Sequence, residues 1–348
     1  MKTVKMRNKI IGPENPCFIS FEPGATYANL EQAKMMTHAT SLAKADGIKF
    51  QTLATGDADR LMGIKDIKIN FGTANGKKEE LVYDALKRRE LPKESWRELV
   101  KYSHDLNLVF ITTPEFPESI EFLVDAGVDA LKISKGDINN VLLIEEAAKT
   151  NIPIILDGRE KFHDVEVAMK ICEKNGNDQI IIMHCPSGYP TENAGVHLRA
   201  INAIQEKCQY PVGFADHSPG DIMNFAAVAM GASMLEKTIT TDKAIEHVEH
   251  FMSLELSELK RFVENIRAVE QAMGNPDILS TSRVEETARR SLVAIRDIKK
   301  GEKITKQDLD YKRPGNAGIS VADGFKILDK RSMQDITAGT FLQWNMLD

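Results

Sequence analysis

FEPGATYAN, residues Phe21–Asn29, joins the first apolar run of the chain to its first segment of helical periodicity. In an open doubly wound sheet the turn after the first strand usually carries GxGxxG, whose glycines let the backbone approach a pyrophosphate. Here the turn has one glycine, Gly24, and no such spacing. Outward from it, eight short apolar runs of β character follow one another: Cys17–Phe21, Gly47–Gln51, Leu108–Thr112, Ala130–Ile133, Ile152–Leu156, Ile180–His184, Pro211–Phe214 and Ser233–Glu236. Segments of helical periodicity separate them, clearest at Leu30–Lys44, Trp96–His104 and Ala194–Glu206, and again at Leu256–Ala272 after the last run. Strands that alternate with helices build a parallel sheet, because each parallel pairing needs a crossover. Eight such units in about 250 residues is the count of a (β/α)₈ barrel. The sequence predicts an α/β fold, a TIM barrel over residues 1–275.

Past the barrel the pattern changes. Met273–Arg290 (MGNPDILSTSRVEETARR) is polar and turn-rich, and residues 276–287 read as a linker. Residues 288–348 combine short alternating runs, the turn Lys299-Lys300-Gly301-Glu302 and a short helix from Thr305, which predicts a small β-rich domain. At about 60 residues such a domain is marginal alone and is expected to dock on another surface. The composition, 42% hydrophobic and 28% charged, is that of a soluble globular protein. A net charge of −6 gives no field for nucleic acid, so an anionic substrate must be held by locally placed cations. Cys17, Cys172, Cys185 and Cys208 form no CxxC pair and fit reduced thiols in the cytoplasm. No run approaches the ~20 apolar residues of a membrane span. The N-terminal MKTVKMRNKIIG also lacks the apolar core of a signal peptide, so a cytoplasmic chain with no membrane partner is expected.

In a TIM barrel, function gathers at the C-terminal ends of the strands. Those ends read Glu22, Lys49 with Gln51, Thr113, Lys132 with Ser134, Asp157, His184 with Ser187 and Tyr189, His217, and Glu236 with Lys237. Lys49 in DGIKFQT and Lys132 in DALKISKGD interrupt strand-like runs. A lysine is costly to bury there unless it meets an anion, so the pair points to a phosphate or carboxylate site. A strand-end lysine is also what a Schiff-base aldolase uses, a rival reading for Lys49. His217 stands beside Asp216, a carboxylate–imidazole neighbourhood found around metal ligands and general bases. His247 and His250 are spaced i, i+3, on one helical face or on a loop over the site. HEXXH, Walker A and CxxC zinc patterns are absent.

The motifs together resemble the sialic acid synthase family over essentially the whole chain, a TIM barrel followed by an antifreeze-like (SAF) domain. The matching stretches are IKFQT (Ile48–Thr52), FITTPEF (Phe110–Phe116), LKIS (Leu131–Ser134) and HCPSGYPT (His184–Thr191). GFADHS (Gly213–Ser218), LEKTIT (Leu235–Thr240), EHFMSL (Glu249–Leu254) and KRPGNAGIS (Lys312–Ser320) continue them in order. The resemblance implies condensation of phosphoenolpyruvate with an amino-sugar aldehyde, aided by a divalent metal, Mn²⁺ or Mg²⁺. It implies that Lys49 and Lys132 hold phosphoenolpyruvate with help from Thr113, Ser134, Ser187 and Tyr189. Glu22 would stand near the sugar and the reacting water, Glu236 at the sugar, and His217 on the metal. It also implies that Arg313 of the SAF domain enters the neighbouring subunit's site in a domain-swapped homodimer.

Three departures fall on the expected sugar and metal side. The family usually reads E-I-G-x-N-H-x-G after the first strand, where this chain has Glu22-Pro23-Gly24-Ala25-Thr26-Tyr27-Ala28-Asn29. Thr238 stands where a second metal histidine is usual, which weakens the metal expectation or turns it to His250 or His247. Asp157-Gly158-Arg159 replaces the usual S-T-G. The expected acceptor therefore differs from N-acetylmannosamine, with the diacetamido-trideoxyhexoses that lead to legionaminic or pseudaminic acid as candidates. The rival readings are a related 3-deoxy-ulosonate phosphate synthase, against which the SAF-like tail argues, and a non-catalytic relative.

Overall fold

Period-two alternation in the apolar runs sends one set of side chains to the middle of a barrel and the other against helices. The strands are β1 (Phe18–Glu22), β2 (Gly47–Gln51), β3 (Val109–Thr113) and β4 (Ala130–Ile133). They continue as β5 (Ile154–Gly158), β6 (Ile180–His184), β7 (Val212–Asp216) and β8 (Met234–Thr240). Each pairs in parallel with the next, and β8 returns to β1 in the register Met234↔Phe18 to Thr238↔Glu22. The ring is closed, as the sequence predicts. The computed structural model describes residues 1–158, 162–274 and 287–348. Its two compact units are Met1–Met273 and Gly274–Asp348. The expected linker, residues 276–287, lies outside the described residues except for Thr287, and so does Arg159.

Inside the barrel Phe18, Val109, Ile111, Ala130, Ile155, Ile181, Met183, Ala215 and Met234 form one buried cluster. Val4, Met6 and Ile11 of an N-terminal hairpin (Val4–Met6 with Lys9–Ile11) join it. Space is tight at this level. A Cβ on Gly213 would lie 2.4 Å from the Met183 sulfur and 2.7 Å from the Met234 carbonyl oxygen, so only glycine fits. The outward residues Ile19, Phe21, Ile48, Phe50, Leu131, Leu156, Phe214 and Leu235 belong to a second cluster shared with the helices.

The helix α1 (Leu30–Leu42) starts where FEPGATYAN ends, because the Asn29 side chain accepts from the Gln32 N–H at 2.9 Å. The segment expected as one helix over Ala194–Glu206 is a 3₁₀ turn, Asn193–Gly195, and a later helix, Ala200–Lys207. His197 between them has φ 49°, which ends any right-handed helix. A hairpin that the sequence reading missed, Lys68–Thr73 with Gly76–Leu81, follows β2. Half of its strand residues are exposed and only Phe71 and Gly72 are buried, so it carries little of the apolar alternation that marks a strand.

In the second unit Ser291–Ala294 pairs antiparallel with Leu309–Lys312 around a core of Leu292, Ile298, Ile304, Ile319, Ile336 and Leu342. The expected short helix from Thr305 is a single 3₁₀ turn, Lys306–Asp308, closed by a Thr305–Asp308 capping box.

Between β7, β8 and the helix layer lies a buried ion pair. Lys237 Nζ is 2.7 Å from Asp216 Oδ2, and neither side chain is exposed. Asp216 also accepts from the Ser218 N–H at 2.8 Å and from Asn224 Nδ2 at 2.6 Å. Removing one partner leaves a buried charge unmatched, at a cost of about 3–5 kcal/mol. Lys237→Met should therefore lower unfolding free energy by about that amount in a urea titration, whereas Lys101→Met, at the exposed Lys101–Asp105 pair, should leave it nearly unchanged. Equal effects of the two substitutions would contradict this account of the barrel wall.

Candidate active site

At the C-terminal ends of the strands the inward positions turn from small or apolar to charged. Glu22, Lys49, Lys132, Asp157 and Glu236 each stand two residues beyond Ser20, Gly47, Ala130, Ile155 and Met234 on their strands. That spacing keeps side chains on one face. All five, with Gln51, Thr113, Ser134, Tyr189 and His217, line one cavity of about 230 Å³.

Buried charges must be matched, and here they match each other. Lys49 is ion-paired to Glu22, and Lys132 to Glu236, with Asp157 Oδ2 3.3 Å from the Lys132 ammonium. Burial favours neutral amines, yet these carboxylates outweigh it and hold both lysines above their ordinary range. The two glutamates divide. Burial would raise Glu22, but the Lys49 and Lys132 ammonium groups hold it below the usual carboxylate range. Glu236 goes the other way, since burial dominates and the Glu22 and Asp157 charges add to it against Lys132. Carboxyls with opposite protonation preferences in one cavity can serve as base and acid. Burial, then the Lys135 charge, push the His217 imidazole down to about 3, so it is neutral at physiological pH. Asp157 Oδ1, Glu236 Oε2, Thr113 Oγ1, Thr238 Oγ1 and His217 Nδ1 are buried with no hydrogen-bond partner among the described residues. Such atoms in a folded protein mark a place for water or ligand.

Other expected site residues are not among those that line this cavity. His184 donates from Nε2 to the Val196 carbonyl at 2.7 Å and stacks on Phe214, which ties it into the scaffold. Ser187 is exposed, as is Arg313, which belongs to the second unit. His250 shares a 2.8 Å hydrogen bond between Nδ1 and the Thr240 hydroxyl, and its ring faces His247 at 6.5 Å. The cavity wall also includes Arg89, Lys135 and Glu249, which sequence reasoning did not single out. Glu249 and Arg89 pin the divergent turn. Glu249 Oε2 accepts from the Ala25 N–H at 2.6 Å, and Arg89 Nη1 donates to the Gly24 carbonyl at 3.3 Å. Gly24 has φ +50°, and a Cβ there would fall 2.1 Å from the Glu249 carboxylate.

A resident divalent ion needs several converging donors. Among the described residues no three His, Cys, Asp or Glu side chains converge in that way. His217 has a free Nδ1, and Asp157 Oδ1 and Glu236 Oε2 are unpaired, but the other oxygen of each of these carboxylates faces the Lys132 ammonium, Glu22 is paired with Lys49, and Thr238 offers only a hydroxyl. This donor set does not fit a metal held by the protein.

Fold and site together define a TIM-barrel enzyme with a cationic, carboxylate-lined mouth. The chain belongs to the NeuB family, which residues 35–277 match, and residues 289–348 match the SAF domain. It is 32% identical over 346 residues to the N,N'-diacetyllegionaminic acid synthase of Legionella pneumophila, covering 97% of this chain and 96% of that one. Identity to the pseudaminic acid synthase of Campylobacter jejuni is 30% over 332 residues, covering 94% and 95% of the two chains. Among solved structures, an N-acetylneuraminic acid synthetase from Leptospira borgpetersenii in complex with citrate superposes with a TM-score of 0.71 at 29% identity. That match covers 82% of this chain and 94% of the other.

Beside the cavity, Glu115 accepts from Gln51 Nε2 at 2.6 Å, and burial pushes its carboxyl up to about 7. The folded chain thus prefers the neutral form. Its contribution to stability is full below the ordinary carboxylate value of 4.5 and is lost as pH rises through about 7. Thermal midpoints should show the parent chain losing ground to Glu115→Gln across that window; parallel curves would contradict the placement of Glu115.

Proposed function

We propose that the chain condenses phosphoenolpyruvate with an N-acylated amino-sugar aldehyde, giving a nine-carbon sialic-acid-type 2-keto-3-deoxy acid and phosphate. The observation that carries this reading is the pair of buried lysines, Lys49 and Lys132, in one cavity. Phosphoenolpyruvate brings a phosphate and a carboxylate, and two fixed ammonium groups match two anions. The same pairing disfavours the Schiff-base alternative, because a lysine must be neutral to attack a carbonyl and these are held protonated.

In the reaction, the methylene carbon of phosphoenolpyruvate attacks the aldehyde carbon and the aldehyde oxygen becomes a hydroxyl. Water adds at the former enol carbon, and the tetrahedral intermediate expels phosphate. Lys49, Lys132, Thr113 and Ser134 are assigned to the donor. Glu22, ionised, is assigned to the water or the sugar, and Glu236, with its raised proton affinity, to proton delivery. The neutral His217 is assigned to the acceptor, and so is Tyr189, in a change from the donor role that the resemblance gives it, because its ring packs 4.9 Å from the His217 imidazole.

For the acceptor we propose a diacetamido-trideoxyhexose in place of N-acetylmannosamine. The relatives named for diacetyllegionaminic and pseudaminic acids support it, as does the turn rebuilt around Gly24 and Glu249. A domain-swapped homodimer with Arg313 at the partner's site, and a cytoplasmic location, complete the proposal. Among the described residues no helix is long and apolar enough to cross a membrane, and all four cysteines are free.

Phosphate release from phosphoenolpyruvate, measured over a panel of amino sugars, tests this directly. Release with a diacetamido compound, faster than with N-acetylmannosamine, is expected. Activity with N-acetylmannosamine alone would overturn the acceptor assignment, and no release with any sugar would overturn the condensation.

A further inference from the structure

We infer that Lys135 supplies the positive charge that polarises the acceptor's aldehyde oxygen, the task that the family resemblance gives to a divalent ion. This rests on the condensation proposed above. Lys135 lies on the turn after β4, three residues beyond Lys132, and shares the cavity wall with Tyr189, His217 and Glu236. Its ammonium donates to the Tyr189 hydroxyl at 2.8 Å and stands 4.4 Å from the centre of that ring. The Tyr189 ring in turn packs 4.9 Å from the His217 imidazole, centre to centre. Ammonium, phenol and imidazole thus form one wall, positioned by contact with each other.

The residues that would cage a metal at this wall do not converge among the described residues, and Thr238 holds only an unpaired hydroxyl. A dication at His217 Nδ1 would also be repelled by the neighbouring ammonium, whose charge already acts on the imidazole. A fixed ammonium stabilises a developing oxyanion without needing such a cage. As the methylene carbon bonds to the aldehyde carbon, the carbonyl π pair moves to oxygen, which takes a proton from Lys135 Nζ. Addition of water at the enol carbon releases one proton, and that proton restores the ammonium. No oxidant or further reactant is needed.

The test compares parent, Lys135→Met and Lys135→Arg chains after exhaustive treatment with EDTA, with melting curves to establish that each is folded. The parent should keep its kcat in EDTA. Lys135→Met should lose about 10²–10³-fold in kcat with KM for phosphoenolpyruvate changed little, and Lys135→Arg should recover part of that loss. A parent rate abolished by EDTA and restored by Mn²⁺, or a Lys135→Met kcat within a few-fold of the parent, would overturn the inference. Binding of Mn²⁺ to the parent, read by electron paramagnetic resonance, decides separately from turnover. Stoichiometric Mn²⁺ at micromolar concentration overturns the lysine assignment even if no acceptor is turned over, and absence of such binding supports it. Failure of the condensation itself appears instead as a parent chain inactive with every sugar.

Discussion

Two lysines buried among carboxylates at the mouth of a closed barrel set the terms for everything around them. Lys49 and Lys132 sit between apolar neighbours on their strands, so each ammonium persists only because Glu22, or Glu236 with Asp157, stands against it. The barrel holds those groups in place by register: β8 lies against β1, with Thr238 paired to Glu22 and Glu236 to Ser20. Behind the wall, the Lys237–Asp216 pair fixes the ends of β7 and β8, and with them the loop that carries His217. An anionic substrate would exchange places with the internal carboxylates as partner to the lysines. The site is in that sense held ready by its own charges.

The barrel was legible because burial writes itself as period-two alternation, and eight such runs separated by helical segments leave few alternatives. Boundaries moved where local backbone overrode pattern, as at His197. The hairpin over Lys68–Leu81 left no trace because its strands bury only Phe71 and Gly72. In the site, Lys49 and Lys132 were readable as charges out of place in apolar strands, and Glu22 and Glu236 as polar residues at strand ends. Lys135 and Arg89 were not. Arg89 lies in the run Lys87-Arg88-Arg89-Glu90, which resembles any solvated helix end, and Lys135 follows a serine in a polar turn. Nothing in such a string says that one charge of the run turns inward. Conversely, His184 stands at a strand end among the expected site residues but spends its Nε2 proton on the backbone of Val196.

At the divergent turn after β1, residues from separate parts of the chain meet. A glycine with positive φ at position 24 brings the backbone against Glu249, and Arg89 then satisfies the Gly24 carbonyl. Glu249 itself has φ 74°, a backbone conformation uncommon outside glycine, and its carboxyl is raised by burial and by the Glu22 charge. Three segments distant in sequence thus meet at one end of the cavity, while Lys49, Lys132 and Thr113 at the other all lie on strands.

The central claim, that the lysine–carboxylate lattice is the donor site, is tested most directly by calorimetric titration of phosphoenolpyruvate in buffers of differing ionisation enthalpy near neutral pH. A new anion beside Glu236 would take Lys132 from it and raise its proton affinity further, so binding should be accompanied by net proton uptake that Glu236→Gln abolishes. Binding with no proton uptake, or uptake unaffected by Glu236→Gln, would contradict the account.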